Sequence, residues 1–149
     1  MKTSQKGLTL IKKYEGFFAK PYLDPIGIPT IGYGATYYPV TRKKVTMKDN
    51  SLTEKEASEL LINQLSEYEN SIKILTKKPI NQNQFDALVS FTYNLGAANL
   101  SKSTLLKKLN INPNDKTISV EFLKWNRAGG KVFNGLTKRR KDEAALYFS

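Results

Sequence analysis

The pattern that most constrains this chain is a stripe of apolar residues, Ala57, Leu61, Leu65, Tyr68, Ile72 and Leu75, advancing by four, four, three, four and three. Helical periodicity puts residues at those intervals on one side. The stripe opens at Thr53-Glu54-Lys55-Glu56, a capping box in which the Thr53 hydroxyl satisfies a free amide and Glu56 reaches back. Pro79 closes it. A helix of this length is suited to connecting two lobes of one domain spanning 1–149. One lobe, containing a sheet, is expected at about 15–55, and a larger helical one at about 75–149, which also holds the N-terminal helix.

The flanking segments follow the same logic. From Ser4 to Tyr14, Leu8, Ile11 and Phe18, joined by Leu10 and Tyr14, recur at helical spacing with Lys6, Lys12 and Lys13 opposite, and Gly16 is a natural stop. From Pro21 to Met47, Tyr, Ile, Thr and Val alternate with Pro and Gly, which predicts short strands and tight turns in a small antiparallel sheet. Asn81 with Gln84 opens a second cap before Phe85–Leu95, a helix apolar on most sides and so the expected centre of the larger lobe, ended by Gly96. Shorter helices are predicted at 102–109, 118–126 and 136–148, with turns at 110–115 and at Ala128-Gly129-Gly130. Trp125 reads as core. The fold class is α+β, mostly helical with a small antiparallel sheet.

Composition then removes whole classes of chemistry. The chain has no Cys and no His, so Ser-His-Asp and Cys-His nucleophiles are excluded, as are the usual ligands of a zinc site. Hydrolysis would have to run on carboxylates, and neither cofactor nor metal is expected. The net charge of +11 suits an anionic polymer: nucleic acid, lipid headgroups or cell wall. A nucleic-acid-binding module is the alternative reading, but no zinc-finger spacing, RNP motif or basic zipper accompanies the charge. Leu8-Thr9-Leu10-Ile11 is too short for a signal segment and no apolar run could span a bilayer. The expected product is soluble, cytoplasmic as synthesised and not inserted in a membrane.

Three residues could carry carboxylate chemistry, and each also has an ordinary structural reading. Glu15 lies at the edge of the apolar stripe in the last helical turn, where helix dipole and apolar surroundings disfavour the anion, as a general acid requires; it could equally pair with a lysine. Asp24-Pro25-Ile26-Gly27 has the composition of a type I turn, and most such aspartates only form the turn. Glycoside hydrolysis, however, needs a second carboxylate opposite the acid. Thr30 precedes Ile31-Gly32-Tyr33-Gly34, a strand-like segment whose glycines permit close approach of backbone or ligand. A β-favouring threonine is the common case; a hydroxyl holding water beside Asp24 is the functional one.

The order Glu15, Asp24, Thr30 and Ile31-Gly32-Tyr33-Gly34 closely resembles the phage lysozyme family. The run from Gln84 to Gly96 is similar to that family's central helix, and Trp125, Ala128-Gly129-Gly130 and Gly135–Arg140 to its closing segment. The resemblance implies an endolysin, a glycoside hydrolase that cuts peptidoglycan between N-acetylmuramic acid and N-acetylglucosamine with inversion. Glu15 would be the acid, Asp24 the base and Thr30 a positioner of water, and a monomer would await a separate holin for access to the wall. Inversion asks for carboxyl groups about 6.5–9.5 Å apart. A catalytically dead wall-binding relative is disfavoured, because all three positions are present. The resemblance also implies that Arg139, or less readily Arg140, pairs with Glu15, although a solvated basic face is the ordinary reading of that segment. Tyr33 and Gly34 are supporting candidates. Tyr22, Tyr33, Tyr37 and Tyr38 could line a sugar groove or simply pack.

Overall fold

The computed structural model describes residues 1–149. Seven helices and two short two-stranded sheets follow one another as α1 (Gln5–Glu15), β1 (Phe18–Leu23), β2 (Pro29–Gly32), α2 (Glu54–Leu75), α3 (Gln82–Leu95), α4 (Ala97–Lys102), α5 (Thr104–Ile111), α6 (Ile118–Leu123), β3 (Arg127–Ala128), β4 (Lys131–Val132) and α7 (Asn134–Tyr147). The mostly helical fold with a small antiparallel sheet is as the residue pattern predicts. No helix is long and apolar enough to cross a membrane. By its contacts the chain divides into two compact units, Ile11–Glu67 on the one hand and Met1–Leu10 with Tyr68–Ser149 on the other.

Both capping boxes are formed. Glu56 N–H donates to Thr53 Oγ1 at 3.1 Å while Thr53 N–H donates to Glu56 Oε1 at 2.9 Å. Gln84 N–H donates to Asn81 Oδ1 at 2.8 Å, and Asn81 N–H to Gln84 Oε1 at 2.9 Å. The α2 stripe is buried at Ala57, Leu61, Leu65 and Ile72.

In the unit Ile11–Glu67, Ile31, Ala35 and Val45 form a core against which Tyr38, Leu52 and Leu60 pack. Gly32, at φ 66, lets α2 approach: a Cβ there would lie 3.4 Å from the Ala57 Cβ. The strand expected to continue through Gly34 stops at Gly32. Ile31 and Ala35 exchange backbone hydrogen bonds of 2.9 Å each, reversing the chain through Gly34 at φ 86.

The other unit is built on α3, buried without a break from Gln84 to Thr92. Phe91 meets Phe122 and Trp125 edge-on at 5.7 Å each, and Phe122 meets Tyr147 at the same distance. A helix buried all round must satisfy its polar side chains internally. Asp86 does so by accepting Ser4 N–H at 3.0 Å, the Ser4 hydroxyl, and Gln82 Nε2 at 2.8 Å. Glu69 likewise accepts Thr3 N–H at 2.7 Å and its hydroxyl at 2.6 Å, so two carboxylates hold the start of α1, where the helix dipole favours negative charge. Gly7 is helical despite the cost of glycine there, because a Cβ would come within 2.9 Å of the Asp86 carboxyl carbon.

Three expectations need correction. The helix expected at 102–109 is α5, which runs two residues later and starts where the Ser103 hydroxyl accepts Leu106 N–H at 3.1 Å, and a separate helix, α4, precedes it unforeseen. Ala128-Gly129-Gly130 is more than a turn: it joins β3 to β4, with Gly129 and Gly130 at φ 57 and 79, the two positive φ values that a tight two-residue hairpin requires. The basic segment of α7 is not a solvated face. Arg139 is 4% exposed and Arg140 0%, both directed to Glu143 by their positions one helical turn before it. Arg140 Nε lies 2.7 Å from Glu143 Oε1 and Arg139 Nε 3.3 Å from Oε2. The Ser90 hydroxyl donates to Oε2 at 2.6 Å, and Arg140 Nη2 reaches Asn94 Oδ1 at 2.8 Å. Burial pushes the Glu143 carboxyl up, against the opposing pull of the two guanidiniums and Ser90.

Removing one member of a buried ion cluster strands the others, and the expected cost is about 3–5 kcal/mol; loss of a helix cap costs about 1 kcal/mol. Urea denaturation should therefore find Glu143→Leu several times more destabilising than Asn81→Ala, and equal losses would contradict this account of α7.

Candidate active site

The site is assembled in the unit Ile11–Glu67 from the end of α1 and the β1–β2 hairpin. α1 stops at Glu15 because Gly16 follows at φ 73 and returns its N–H to Lys12 O at 2.9 Å. Glu15 is half-buried. β1 and β2 pair antiparallel with Tyr22 opposite Thr30 and Leu23 opposite Pro29, after an irregularity between Phe18 and Tyr22 that accommodates Pro21.

Asp24 heads the connection. Gly27 N–H donates to Asp24 O at 2.9 Å, closing the four-residue turn read from the sequence, and Asp24 N–H donates to Ile28 O at 3.0 Å. Its carboxylate Oδ1 accepts two backbone amides, Ile26 at 3.0 Å and Ile28 at 2.8 Å. One oxygen thus forms the turn while Oδ2 is left for other partners. Thr30, 4% exposed, donates its hydroxyl hydrogen to Ile28 O at 2.9 Å. That bond consumes the hydrogen and leaves an oxygen that can only accept. Asp24 and Thr30 are therefore tied to the main chain of the same residue.

Tyr22 lies in the electrostatic field of both carboxylates. It shares the ladder position of Thr30, and directly opposed residues lie on one face of the sheet. Its ring lies 4.3 Å from that of Phe18. Its phenol is held above the ordinary tyrosine value, first by burial and then by the negative charges of Glu15 and Asp24, so both carboxylates are within electrostatic reach of one hydroxyl. The sequence offered Tyr22 only as one of four groove-lining aromatics. The signal available was its spacing of two from Asp24, which directs alternate residues of a strand to one face.

The other tyrosines are committed elsewhere. Tyr33, buried, donates to Glu54 Oε2 at 2.6 Å; Tyr37 donates to Glu67 at 2.8 Å and Tyr38 to Asp49 at 2.7 Å. The Tyr33 phenol is pushed up to about 12 by burial and by Glu54. Glu54, bonded by Tyr33, Ser58 and Lys12, is held down at about 2. Gly34 serves the reversal after β2. Arg139, in the other unit, donates to Ser90 O at 3.2 Å besides its contact with Glu143.

The model of the phage lysozyme family matches residues 12–143, a span that takes in Glu15, the hairpin and both arginines of α7. The chain belongs to the phage lysozyme family. The chain is 42% identical over 154 residues to an endolysin of Bacillus phage B103, covering 100% of this chain and 55% of that protein. It is 40% identical over 149 residues to an endolysin of Salmonella phage P22, covering 100% and 99%. Among solved structures, an endolysin from Escherichia coli O157:H7 phage FAHEc1 is similar with a TM-score of 0.90 at 37% identity, covering 100% of this chain and 94% of that one. The chain spans about half the length of the Bacillus phage relatives it matches.

Glu54 gives a pH prediction. Its folded value of about 2 lies below its ordinary 4.5, so its contribution to stability is complete above pH 4.5 and is lost as the pH falls towards 2. Glu54→Gln should lower the urea midpoint at neutral pH and flatten its decline between those limits. A variant curve parallel to that of the wild type would remove the Tyr33–Glu54 network from the stability of this unit.

Proposed function

We propose that this chain is an endolysin-type muramidase, hydrolysing the β-1,4 bond between N-acetylmuramic acid and N-acetylglucosamine of bacterial peptidoglycan by inverting acid–base catalysis. The observation that supports it most directly is the common tether of Asp24 and Thr30 to Ile28, at 2.8 and 2.9 Å. Asp24 Oδ2 and Thr30 Oγ1 are both acceptors. A water that gives one hydrogen to each turns a lone pair outward, toward the anomeric carbon of a bound sugar. As that lone pair forms the new C–O bond, Asp24 takes a proton from the water. The protonated Glu15 carboxyl gives its proton to the glycosidic oxygen, and the bond from that oxygen to the anomeric carbon breaks. One hydroxyl forms at each new end, and attack on the face opposite the leaving group inverts the anomeric centre.

In this reading Arg139 supports Glu15, and Tyr33 and Gly34 contribute through the shape of the hairpin. The protein acts as a monomer on glycan strands, not on nucleic acid. It is made in the cytoplasm of the host and reaches the wall after a separate holin has opened the membrane. The net charge of +11 concentrates it on anionic envelope polymers, an attraction that salt weakens.

Glu15→Gln and Asp24→Asn should each lower kcat on purified peptidoglycan by at least about 100-fold, with a melting temperature close to the wild type. Thr30→Ser, which keeps the acceptor, should retain more activity than Thr30→Val. Mass spectrometry of the digest should find reducing muramic acid ends, and NMR the inverted anomer first. Reducing glucosamine ends, an anhydro product or retained configuration would overturn the mechanism.

A further inference from the structure

Phe18 and Tyr22 lie four residues apart on β1, yet their ring centroids are 4.3 Å apart. In a regular strand, residues at that interval are separated by about 13 Å. The shift of register between the two shortens the gap, and an irregularity of this kind is a means by which a strand re-aims a side chain beside a site. Tyr22 is brought round to face Thr30 across the ladder, with Asp24 two residues further along its own strand direction.

The hydroxyl at the end of that ring is uncommitted. Tyr33, Tyr37 and Tyr38 each donate to a carboxylate, those of Glu54, Glu67 and Asp49, whereas the half-buried Tyr22 makes no hydrogen bond within the protein. Burial, followed by the charges of Glu15 and Asp24, keeps its hydrogen in place, so the phenol is a neutral donor wherever the carboxylates work.

The reacting water lacks such a donor. A water can make up to four hydrogen bonds, two through its hydrogens and two through its lone pairs. Asp24 Oδ2 and Thr30 Oγ1 take only the hydrogens, since Asp24 Oδ1 is held by Ile26 and Ile28 and the Thr30 hydrogen by Ile28 O. Held by those two bonds, the water can still turn about the line joining its acceptors. A donor on one lone pair removes that freedom and gives the other a single direction. Glu15 is not that donor, because its proton goes to the glycosidic oxygen. Nor does a bond from Tyr22 to Glu15 suit the acid, since it would favour the anion.

We propose that Tyr22 is the third partner of the reacting water, donating its phenol hydrogen to a lone pair that Asp24 and Thr30 leave undirected. The inference rests on the muramidase reading. Tyr22 keeps its hydrogen throughout. The second lone pair of the water forms the bond to the anomeric carbon, one water proton passes to Asp24, and the other stays on the new hydroxyl, facing Thr30. The bond from Tyr22 thus persists from water to product.

Tyr22→Phe keeps the ring and its contact with Phe18, so the melting temperature should match the wild type. On purified peptidoglycan its kcat should fall about five- to tenfold, the scale of one hydrogen bond, with KM unchanged. Thr30→Val frees the water in the same way, so adding Tyr22→Phe to it should cost less than the same change in the wild type. A fluorinated tyrosine at position 22, a stronger acid than tyrosine, should move the alkaline fall of kcat to lower pH, because only the protonated phenol donates. Packing alone would not move it. The assignment is overturned if Tyr22→Phe leaves kcat unchanged, if KM rises instead, which would make Tyr22 a sugar contact, or if the double variant loses the full factor again. It is equally overturned if the fluorinated enzyme keeps the wild-type pH profile, a result that decides the matter alone should Tyr22→Phe unfold. Wild-type enzyme that releases no new reducing ends would refute the muramidase reading itself, whereas normal wild-type turnover matched by Tyr22→Phe refutes the role of Tyr22 alone.

Discussion

The main chain of one hairpin residue organises the site. Ile28 donates its N–H to Asp24 Oδ1, and its carbonyl accepts both the Asp24 N–H and the Thr30 hydroxyl. These bonds set the rotamers of two side chains against a rigid ladder instead of against solvent, which is how a short loop achieves the positional accuracy of regular structure. The hairpin is in turn seated by Gly32 against Ala57, so the backbone approach that glycine permits is spent on packing the sheet upon α2.

For Asp24, the ordinary reading and the functional one describe different oxygens of the same carboxylate. Turn statistics account for Oδ1. They say nothing of Oδ2, whose availability follows from the turn itself. For Tyr33 the balance falls the other way: its hydroxyl belongs to Glu54 and its ring is buried, so its part in any sugar groove is that of a wall support. Tyr22 stands opposite Thr30 and in the field of both carboxylates, a placement that the clustering of four tyrosines did not single out.

What could be read in advance was whatever local chemistry decides. Thr53 with Glu56 and Asn81 with Gln84 specify their helix starts through four residues each, and the apolar periods of α2 and α3 follow from burial on one side or on all. Gly16 ends α1 for a conformational reason visible in one letter. The misread elements depend on distant partners. Arg139 and Arg140 stand between Lys138 and Lys141 and look solvated; the anion at position 143 was visible at the right spacing, but the burial is imposed by α3, with Ser90 some fifty residues earlier. β3 and β4, at two residues each, are too short to show any alternation.

The cluster around Glu143 has a consequence for how this fold can diverge. Ser90, Arg139, Arg140 and Glu143 hold one another in a buried region, so a change at one takes a partner from a neighbour that water does not readily replace. The four positions are epistatic. A lineage that abandons the arrangement has to replace at least two of them together, and a single residue transplanted from such a relative would arrive as a defect in this one.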